Sequence, residues 1–574
     1  MEKLGKYIKP YVWYIALTVG IKLLGAVLEL MIPYFMEVIL DDVVPTGEIT
    51  SIFLYGGLML LCAAGCVSAN IGANRMSAIS SGKITRKLRH DLFEKLEHLS
   101  AGQMDGLTIS SAVSRLTSDT YNINQFLARM QRLGIRAPML LLGGVCMMLK
   151  MDAALALVLI ATLPLIGLIV FFVTKKSVPL YAREQTVLDK VVRVLQENIT
   201  GVRVIKALSK TDYEKQRFEK VNSELTGIDQ KAGMISAITN PASSLVLNLG
   251  LTLVVVAGAY RVNAGNCQSG VIIAFLQFFV MILNAMVGIT KIFILWSKGQ
   301  ASALRVAEVV AMAEDMPLLE TEKSGGKEPA HIEFRGVTFS YTGIGANLEN
   351  MNFRIMRGES LGILGETGAG KSTILNLLLR FYDPQKGEVL IDGRDVRSYP
   401  PEELRSRFGA AFQNDFIMEG TIQDNIRFFR PLGDNALLSA AEDAQSMEFI
   451  SAREEGMQAP VAVRGNNLSG GQKQRLLIAR ALASHPEILL LDDASSALDY
   501  RTDAELRKAL HRNYSNTTTI LIAQRISSIR NCDHILVLSD GKTIGYGTHE
   551  ELMRSCGEYR MIAQTQMGEG KETA

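Results

Sequence analysis

The run GETGAGKST, Gly365–Thr373, stands between an apolar run, SLGIL, and a run of helix formers, ILNLLLRF. Its spacing is that of a phosphate-binding loop, G-x-x-x-x-G-K-[ST]. Glycines let the backbone N–H groups of such a loop turn toward phosphate oxygens, and the next helix adds partial positive charge at its N-terminus. We predict that Lys371 reaches the terminal phosphates of a nucleotide and that Ser372 contacts Mg²⁺. The predicted loop residues are Gly365, Glu366, Thr367, Gly368, Ala369, Gly370, Lys371, Ser372 and Thr373.

Short β-rich runs alternate with helical runs on both sides of this loop, from residue 331 to residue 574. The β-rich runs are HIEFRGVTF, SLGILG, EVLIDG, EILLLD, TTILIA and HILVLSD. Such alternation is typical of an α/β domain with a largely parallel sheet. The predicted fold class for residues 331–574 is therefore an α/β P-loop nucleotide-binding domain.

Two more motifs follow the loop along the chain. LSGGQKQR, Leu468–Arg475, places Ser469 and paired glycines at a helix start, which suits a γ-phosphate. ILLLDD, Ile488–Asp493, has the pattern of a buried strand that ends in two acids. The first acid, Asp492, can hold Mg²⁺.

Long apolar stretches are confined to the first three hundred residues, and most reach the ~20 residues that a bilayer core requires. The third stretch is short, and only Lys150–Asp152 separates it from the fourth; a merged helix would be too long, so we predict a tight hairpin. The run after the basic N-terminus is too long for a cleavable signal. We predict an all-α transmembrane domain over residues 1–312, then a linker over 313–330. The six predicted spans are about 12–40, 51–73, 136–150, 153–173, 237–262 and 270–296.

Charge indicates the topology of these spans. Ten Lys or Arg residues lie between residues 74 and 137, whereas the segment 41–50 has none. Because basic residues mark the cytoplasmic side, both chain ends are predicted to lie inside. The inner connections, 74–135 and 174–236, read as helices that continue out of the membrane. A net charge of +2 gives no general attraction to nucleic acid, and the spacing of the six cysteines suggests neither a disulfide framework nor a zinc site.

Together the three motifs and six spans resemble the ATP-binding cassette transporters, and the whole chain is similar to a half-transporter of the exporter type. The resemblance implies a multi-pass protein of the bacterial cell membrane, with ATP and Mg²⁺ as cofactors and transport coupled to ATP hydrolysis. Two cassettes of this family pair head to tail, so a dimer is implied. Segments near Gly102–Leu107 and Ala207–Asp212 match short coupling helices.

The resemblance also implies roles for single residues. Tyr341 matches the aromatic that stacks on adenine. Gln413 matches the glutamine that contacts Mg²⁺ and the attacking water. The Ser-Gly-Gly-Gln motif matches the part of one cassette that completes the ATP site of the other, and Asp499 belongs to the loop that crosses between them. The motif residues are Ser469, Gly470, Gly471 and Gln472.

Three positions depart from the family pattern. Asp493 stands where the family usually has a catalytic Glu, which shortens the side chain by about one bond, ~1.5 Å. Gln524 stands where a His usually contacts the γ-phosphate, and it carries no charge. Val463 replaces a Glu in the loop that contacts the inner helices. We predict that Asp493, Gln524 and Gln413 form a site that binds MgATP and hydrolyses it slowly.

The intact Ser-Gly-Gly-Gln motif predicts a partner. Such a chain resembles the degenerate-site subunit of heterodimeric exporters, whose partner subunit carries the Glu and the His and an altered motif. Other readings stay open: a homodimeric exporter, an importer of a metal chelate on the exporter scaffold, and a channel or nucleotide-sensing regulator. Fold alone does not fix the direction of transport.

Polar residues recur at seven-residue spacing within two spans, which places them on one helix face. Two readings are open: a polar stripe that lines a pathway for an amphipathic drug, lipid or peptide, or hydrogen bonding between helices. The candidate residues are Lys22 and Glu29 in the first span and Gln277, Asn284 and Lys291 in the sixth.

Overall fold

The computed structural model describes residues 2–313, 315–319, 329–413, 416–494 and 496–567. Residues 314 and 320–328 of the predicted linker lie outside the described residues. The chain divides into two compact units. The first comprises Met1–His98 and Ile109–Met312, and the second comprises Leu99–Thr108 and Ala313–Ala574.

Helices make up the first unit. In chain order they are α1 (Glu2–Ile8), α2 (Val12–Val38) and α3 (Ile49–Glu97), then, after α4 (Ala101–Leu107) of the second unit, α5 (Ile109–Ser114), α6 (Thr120–Met151), α7 (Ala153–Thr200), α8 (Val202–Ala207), α9 (Thr211–Ala237), α10 (Thr239–Asn263) and α11 (Ser269–Val310). Within the described residues, six helical segments are long and apolar enough to span a membrane. The six-span prediction is therefore confirmed.

The inner extensions are helical, as predicted, and they are continuous with the spans. α3 runs unbroken from the second apolar stretch to Glu97, and α7 continues from the fourth to Thr200. The third span is longer than its apolar stretch, because α6 begins at Thr120 and carries Pro138 inside it.

One residue, Asp152, separates the third span from the fourth. Its Oδ1 accepts hydrogen bonds from the backbone N–H groups of Ala154 and Leu155 at 2.9 and 3.0 Å, which caps the start of α7. Its Oδ2 accepts from Nε of Arg261 at 3.0 Å, which ties the hairpin to α10. The merged helix is thereby excluded.

The second unit is an α/β domain. Its strands are β1 (Ile332–Phe339), β2 (Leu348–Ile355), β3 (Ser360–Gly365), β4 (Lys386–Ile391), β5 (Arg394–Asp395), β6 (Phe408–Ala411), β7 (Gly420–Thr421), β8 (Pro460–Val461), β9 (Ile488–Asp492), β10 (Thr518–Ile522), β11 (His534–Ser539) and β12 (Lys542–Gly547). Its further helices are α12 (Lys371–Leu378), α13 (Pro401–Ser406), α14 (Ile422–Arg427), α15 (Asp434–Asp443), α16 (Met447–Ser451), α17 (Gly470–Leu482), α18 (Tyr500–Asn513), α19 (Ile526–Ile529), α20 (His549–Ser555) and α21 (Gly557–Met567).

The larger sheet positions the site. Its strand order is β12-β11-β3-β10-β9-β6, and every neighbouring pair is parallel except β11 with β12. Ile522 at the end of β10 lies opposite both Ile363 of β3 and Asp492 of β9. The carboxyl ends of these three strands therefore meet at one edge, which is where parallel sheets bind ligands. A second sheet of four antiparallel strands has the order β2-β1-β4-β5.

Residues 99–108, which the prediction placed in the membrane domain, cluster with the nucleotide unit. Helix α4 begins with a capping box between Ser100 and Gln103. Its Asp105 accepts a hydrogen bond from the hydroxyl of Tyr382 at 2.6 Å. Burial, together with this hydrogen bond, raises the pKa of that phenol.

Candidate nucleotide-binding site

The phosphate loop connects β3 to α12. Gly368 and Gly370 have φ angles of +91° and +94°, a left-handed conformation that favours glycine. A Cβ atom at Gly370 would also lie 2.7 Å from the carbonyl oxygen of Asn347. The glycine spacing of the motif is therefore required by the shape of the loop.

Lys371 begins α12 and its side chain folds back over the loop. Its ammonium donates to the carbonyl oxygens of Gly365 and Glu366 at 2.8 and 2.7 Å. Burial lowers the pKa of this lysine, whereas Asp492 and Asp493 raise it. The cation is thus held where the loop pattern places the terminal phosphates.

Ser372 and Asp492 meet across the site. The hydroxyl of Ser372 donates to Oδ2 of Asp492 at 2.8 Å, and burial raises the pKa of this aspartate. A hydroxyl and a carboxylate in contact are hard oxygen ligands, the type that Mg²⁺ prefers. The residues present therefore fit the metal that the motif implies.

Asp493 lies between two amide side chains. Its Oδ2 accepts from Nε2 of Gln413 at 3.2 Å and from Nε2 of Gln524 at 3.0 Å. Its backbone has a positive φ of +50°, and its N–H donates to the carbonyl oxygen of Ile522. Burial and the neighbouring Asp492 raise the pKa of Asp493. The structure thus brings the three predicted catalytic residues together, with one carboxylate oxygen shared by two neutral donors.

Tyr341 lies beside the start of α12. Its hydroxyl donates to Oγ1 of Thr373 at 3.3 Å and accepts from Nδ2 of Asn376 at 2.9 Å. The ring packs edge-on against Tyr382 and Phe339 and remains 42% exposed. An exposed aromatic ring fixed next to the phosphate loop can stack on a nucleotide base.

The Ser-Gly-Gly-Gln motif forms the N-terminus of α17. Oγ of Ser469 accepts from the N–H of Gln472, whose side chain accepts from the N–H of Ser469 at 3.0 Å. Ser469 and Gly470 are exposed, and a Cβ atom at Gly471 would lie 3.1 Å from the carbonyl oxygen of Ala497. In the described part of the chain, no hydrogen bond joins this helix start to the phosphate loop.

Two further predicted residues, Asp499 and Val463, lie in loops around the motif. Asp499 caps α18, because its carboxylate accepts from the N–H and the hydroxyl of Thr502, both at 2.9 Å. Those bonds hold the pKa of Asp499 below its usual range. Val463 lies in a short 3₁₀ segment, Val463–Gly465, and is 55% exposed.

Sequence reasoning missed two glutamines. Oε1 of Gln474 accepts from the N–H of Ala497 at 2.9 Å, and its Nε2 donates to Oγ of Ser496 at 3.1 Å. Gln566 in α21 donates to the carbonyl oxygen of Gln524 and accepts from the N–H of Ile526, both at 2.8 Å. Each glutamine clamps the backbone of a loop that borders Asp493.

The pathway candidates have partners in other helices. The guanidinium of Arg136 binds both carboxylate oxygens of Glu29, and Lys22 donates to Asn70 and Asn74. Gln277 donates to Sδ of Met36 at 3.0 Å. Asn284 is exposed, and the side chain of Lys291 lies outside the described residues.

A six-span helical unit joined to a P-loop unit with a signature helix defines an ATP-powered membrane half-transporter. Sequence profiles agree: residues 15–286 match the ABC transporter transmembrane region, and residues 348–496 match the ABC transporter profile. An ABC transporter ATP-binding protein of Bacillus subtilis, YfiB, is 32% identical over 582 residues, with both chains fully covered. The chain belongs to the ABC transporter family.

Two further similarities are to a solved exporter structure and to a relative named for its substrate. The structure of a bacterial Atm1-family ABC exporter with ATP bound aligns with a TM-score of 0.80 at 23% identity, over 99% of each chain. The chain therefore has the exporter fold. A Mycobacterium bovis protein, the fatty acid ABC transporter ATP-binding/permease protein, is 32% identical over 494 residues, 85% of this chain and 78% of its own. As an ABC transporter with six spans, the chain is a multi-pass membrane protein whose cytoplasmic domain binds ATP.

Proposed function

We propose that this chain is the slow-site subunit of a heterodimeric exporter. It binds MgATP at its own phosphate loop and hydrolyses it slowly, while the partner subunit supplies the catalytic Glu and the His. The observation that carries this proposal is the pairing of Asp493 with the amides of Gln413 and Gln524.

Two physical effects weaken hydrolysis at this site. A carboxylate drawn back by about one bond no longer orients water well, and a misplacement near 1 Å can cost about a hundredfold in rate. Gln524 donates a neutral hydrogen bond where a charge-assisted one would stabilise the transferring phosphoryl group, and charge-assisted bonds are about twice as strong. Here that amide is engaged with Asp493.

The residues proposed to bind MgATP differ from those whose change slows its hydrolysis. Lys371 and the loop amides hold the phosphates, Tyr341 stacks on the base, and Ser372, Asp492 and the side-chain oxygen of Gln413 hold Mg²⁺. The metal would neutralise charge on the β- and γ-phosphates. The cation, the aromatic ring and the oxygen ligands that MgATP binding requires are therefore all present.

The exposed start of α17 supports the heterodimer. Ser469 and Gly470 are free to meet a nucleotide on another subunit, and the intact motif completes a site that the partner can use for rapid turnover. Residues 1–312 form half of the pathway, residues 313–330 link it to the cassette, and residues 331–574 form the cassette. The exporter fold and the relative named for fatty acid support export of an amphipathic solute from the cytoplasm or inner leaflet.

Purified full-length chain in lipid nanodiscs tests the proposal. We expect MgATP to bind and to be hydrolysed at least ~100-fold more slowly than by the chain with a partner half-transporter that carries the Glu and the His, to be sought in the neighbouring reading frame. The Lys371→Ala variant gives the background rate of ATP hydrolysis, because it lacks the phosphate-binding cation. Brisk turnover by the lone chain would instead support a homodimeric exporter.

A further inference from the structure

A buried lysine in the first unit has only neutral hydrogen-bond acceptors among the described residues. Lys22 is 4% exposed, and its ammonium donates to Oδ1 of Asn70 at 2.5 Å and to Oδ1 of Asn74 at 3.2 Å. Nδ2 of Asn70 donates to the carbonyl oxygen of Cys66 at 2.9 Å, which turns its oxygen toward the lysine. The two asparagines hold the cation in place but do not neutralise it.

The charges around Lys22 have a positive excess. Lys22 and Glu29 are seven residues apart on one face of α2, Arg132 and Arg136 are four apart on one face of α6, and the Glu29–Arg136 contact brings the two faces together. Arg132, Arg136 and Glu29 accordingly act electrostatically on the ammonium. Glu29 is already engaged, because Arg136 binds its two oxygens through Nε at 3.1 Å and Nη2 at 2.5 Å. Arg132 uses its Nε on the carbonyl oxygen of Ala128. Three cations thus share one carboxylate, and uncompensated charge inside a membrane domain is costly.

The cluster lies toward the cytoplasmic half of the membrane. Lys22 is ten residues into α2, about 15 Å from its cytoplasmic start at 1.5 Å per residue, so its depth is no more than about half of a ~30 Å hydrocarbon core. Asn70 and Asn74 lie at the cytoplasmic end of the second apolar stretch, and Arg136 begins the third. The Arg136–Glu29 part of the cluster is accessible, since 37% of the Arg136 side chain and 21% of the Glu29 side chain are exposed, whereas Lys22 is buried.

We infer that Lys22, Arg132 and Arg136 form a binding site for the anionic head group of an amphipathic molecule, a carboxylate or a phosphate. This inference rests on the proposed function, in which an amphipathic solute is taken from the inner leaflet. A carboxylate placed there offsets one of the two excess positive charges, and a doubly ionised phosphate offsets both; either group accepts hydrogen bonds from the ammonium and guanidinium groups. The Glu29–Arg136 pair leaves Lys22 and Arg132 as the two uncompensated cations that an anionic head group would face.

Equilibrium binding to the full-length chain in phosphatidylcholine nanodiscs tests this site. The probes are oleate, oleyl alcohol and oleylamine, which share an acyl chain and differ in the charge of the head group. We expect oleate to bind at least tenfold more tightly than oleyl alcohol, and oleylamine to bind most weakly. Equal affinities for the three probes would overturn the inference.

Single-residue variants test whether the preference for oleate arises at Lys22 and Arg132. Lys22→Met fills the same space without charge, and we expect the oleate preference to fall at least fivefold; Arg132→Gln should lower it as well. Lys150→Gln is the matched control, because Lys150 is an exposed cation at the outer hairpin. Thermal unfolding shows whether the Lys22→Met variant is folded. A folded Lys22→Met variant that retains the full preference would contradict the assignment.

Two sources could supply the same head group. Phosphatidylglycerol that displaces oleate without ATP-dependent flux identifies a resident inner-leaflet lipid, whereas ATP-dependent oleate flux into inside-out vesicles identifies a transported solute. Either result supports the anionic site. Vigorous ATP-dependent flux of a neutral amphiphile, with no preference for oleate, would sink this inference while leaving the exporter proposal intact.

Discussion

The slow site should be restored only by two changes together, Asp493→Glu and Gln524→His. In the structure, Oδ2 of Asp493 lies 3.2 Å from Nε2 of Gln413 and 3.0 Å from Nε2 of Gln524. A glutamate extends the carboxylate by about 1.5 Å, but the amide of Gln524 still competes for it. A histidine can release the carboxylate and offer a donor to the γ-phosphate.

The expected magnitudes separate the variants. Correct placement of the carboxylate is worth about a hundredfold, or ~2.7 kcal/mol of activation free energy. We expect each single variant to raise hydrolysis by less than about threefold and the double variant to raise it about a hundredfold. The excess over the product of the single effects is then at least about tenfold, ~1.4 kcal/mol of coupling between the positions.

Single-turnover hydrolysis of labelled MgATP by the full-length chain, in nanodiscs that hold two copies, measures these rates. Asp434→Glu with Gln423→His is a matched control, since that exposed pair is also an amide donating to a carboxylate, at 2.7 Å. Its rate should not change. A gain of thirtyfold or more from Asp493→Glu alone would refute the reasoning, and so would a double variant as slow as the parent.

Three further predictions follow from individual contacts. In the Asp493→Glu, Gln524→His double variant, Gln566→Leu should lower kcat about tenfold with little change in KM, because two hydrogen bonds to the loop at residues 524–526 are lost. Gln564→Leu, at an exposed position of the same helix, should leave kcat unchanged, and steady-state kinetics measures both variants. In the heterodimer, Ser469→Ala should slow ATP turnover ~100-fold through the partner's site, whereas Ser372→Ala should slow it little. Burial lowers the pKa of His331 to about 4, so on acidification the unfolded state takes up the proton first. The free energy of unfolding should therefore fall by up to ~3 kcal/mol as the pH drops from ~6.5 to ~4. Thermal unfolding measures this fall, and a smaller fall in the His331→Gln variant would show that His331 is its source.

Much of the fold and of the site could be predicted from local sequence patterns. The phosphate loop, the strand ending at Asp492 and the helix start at Gly470 are each encoded by neighbouring residues, so the sequence predicts them. The break at Asp152 is also local, because an aspartate before an apolar run is a helix cap. The continuation of α3 and α7 as polar helices beyond their apolar stretches was also predicted, but where each helix ends, at Glu97 and Thr200, was not.

Contacts between segments that are distant along the chain could not be predicted from the sequence. Gln566 is 42 residues from Gln524, and a glutamine on a helix surface gives no signal that it clamps a loop. Glu29 and Arg136 are 107 residues apart, so the polar spacing within α2 suggested a pathway without revealing the ion pair. Gln474 could have been suspected, because it lies inside the LSGGQKQR motif, but its contact with Ala497 required the fold.

The same hydrogen bonds explain why Asp493 is tolerated and why it should be slow. A buried carboxylate beside Asp492 is unfavourable when ionised, which is reflected in its raised pKa. Two amide donors offset part of that cost, and they do so by engaging the oxygen that would otherwise orient water. A histidine at position 524 would contact the phosphate instead and leave the acid to face the water. Slow hydrolysis is therefore a property of the amide pair together with the short side chain, and neither feature alone accounts for it.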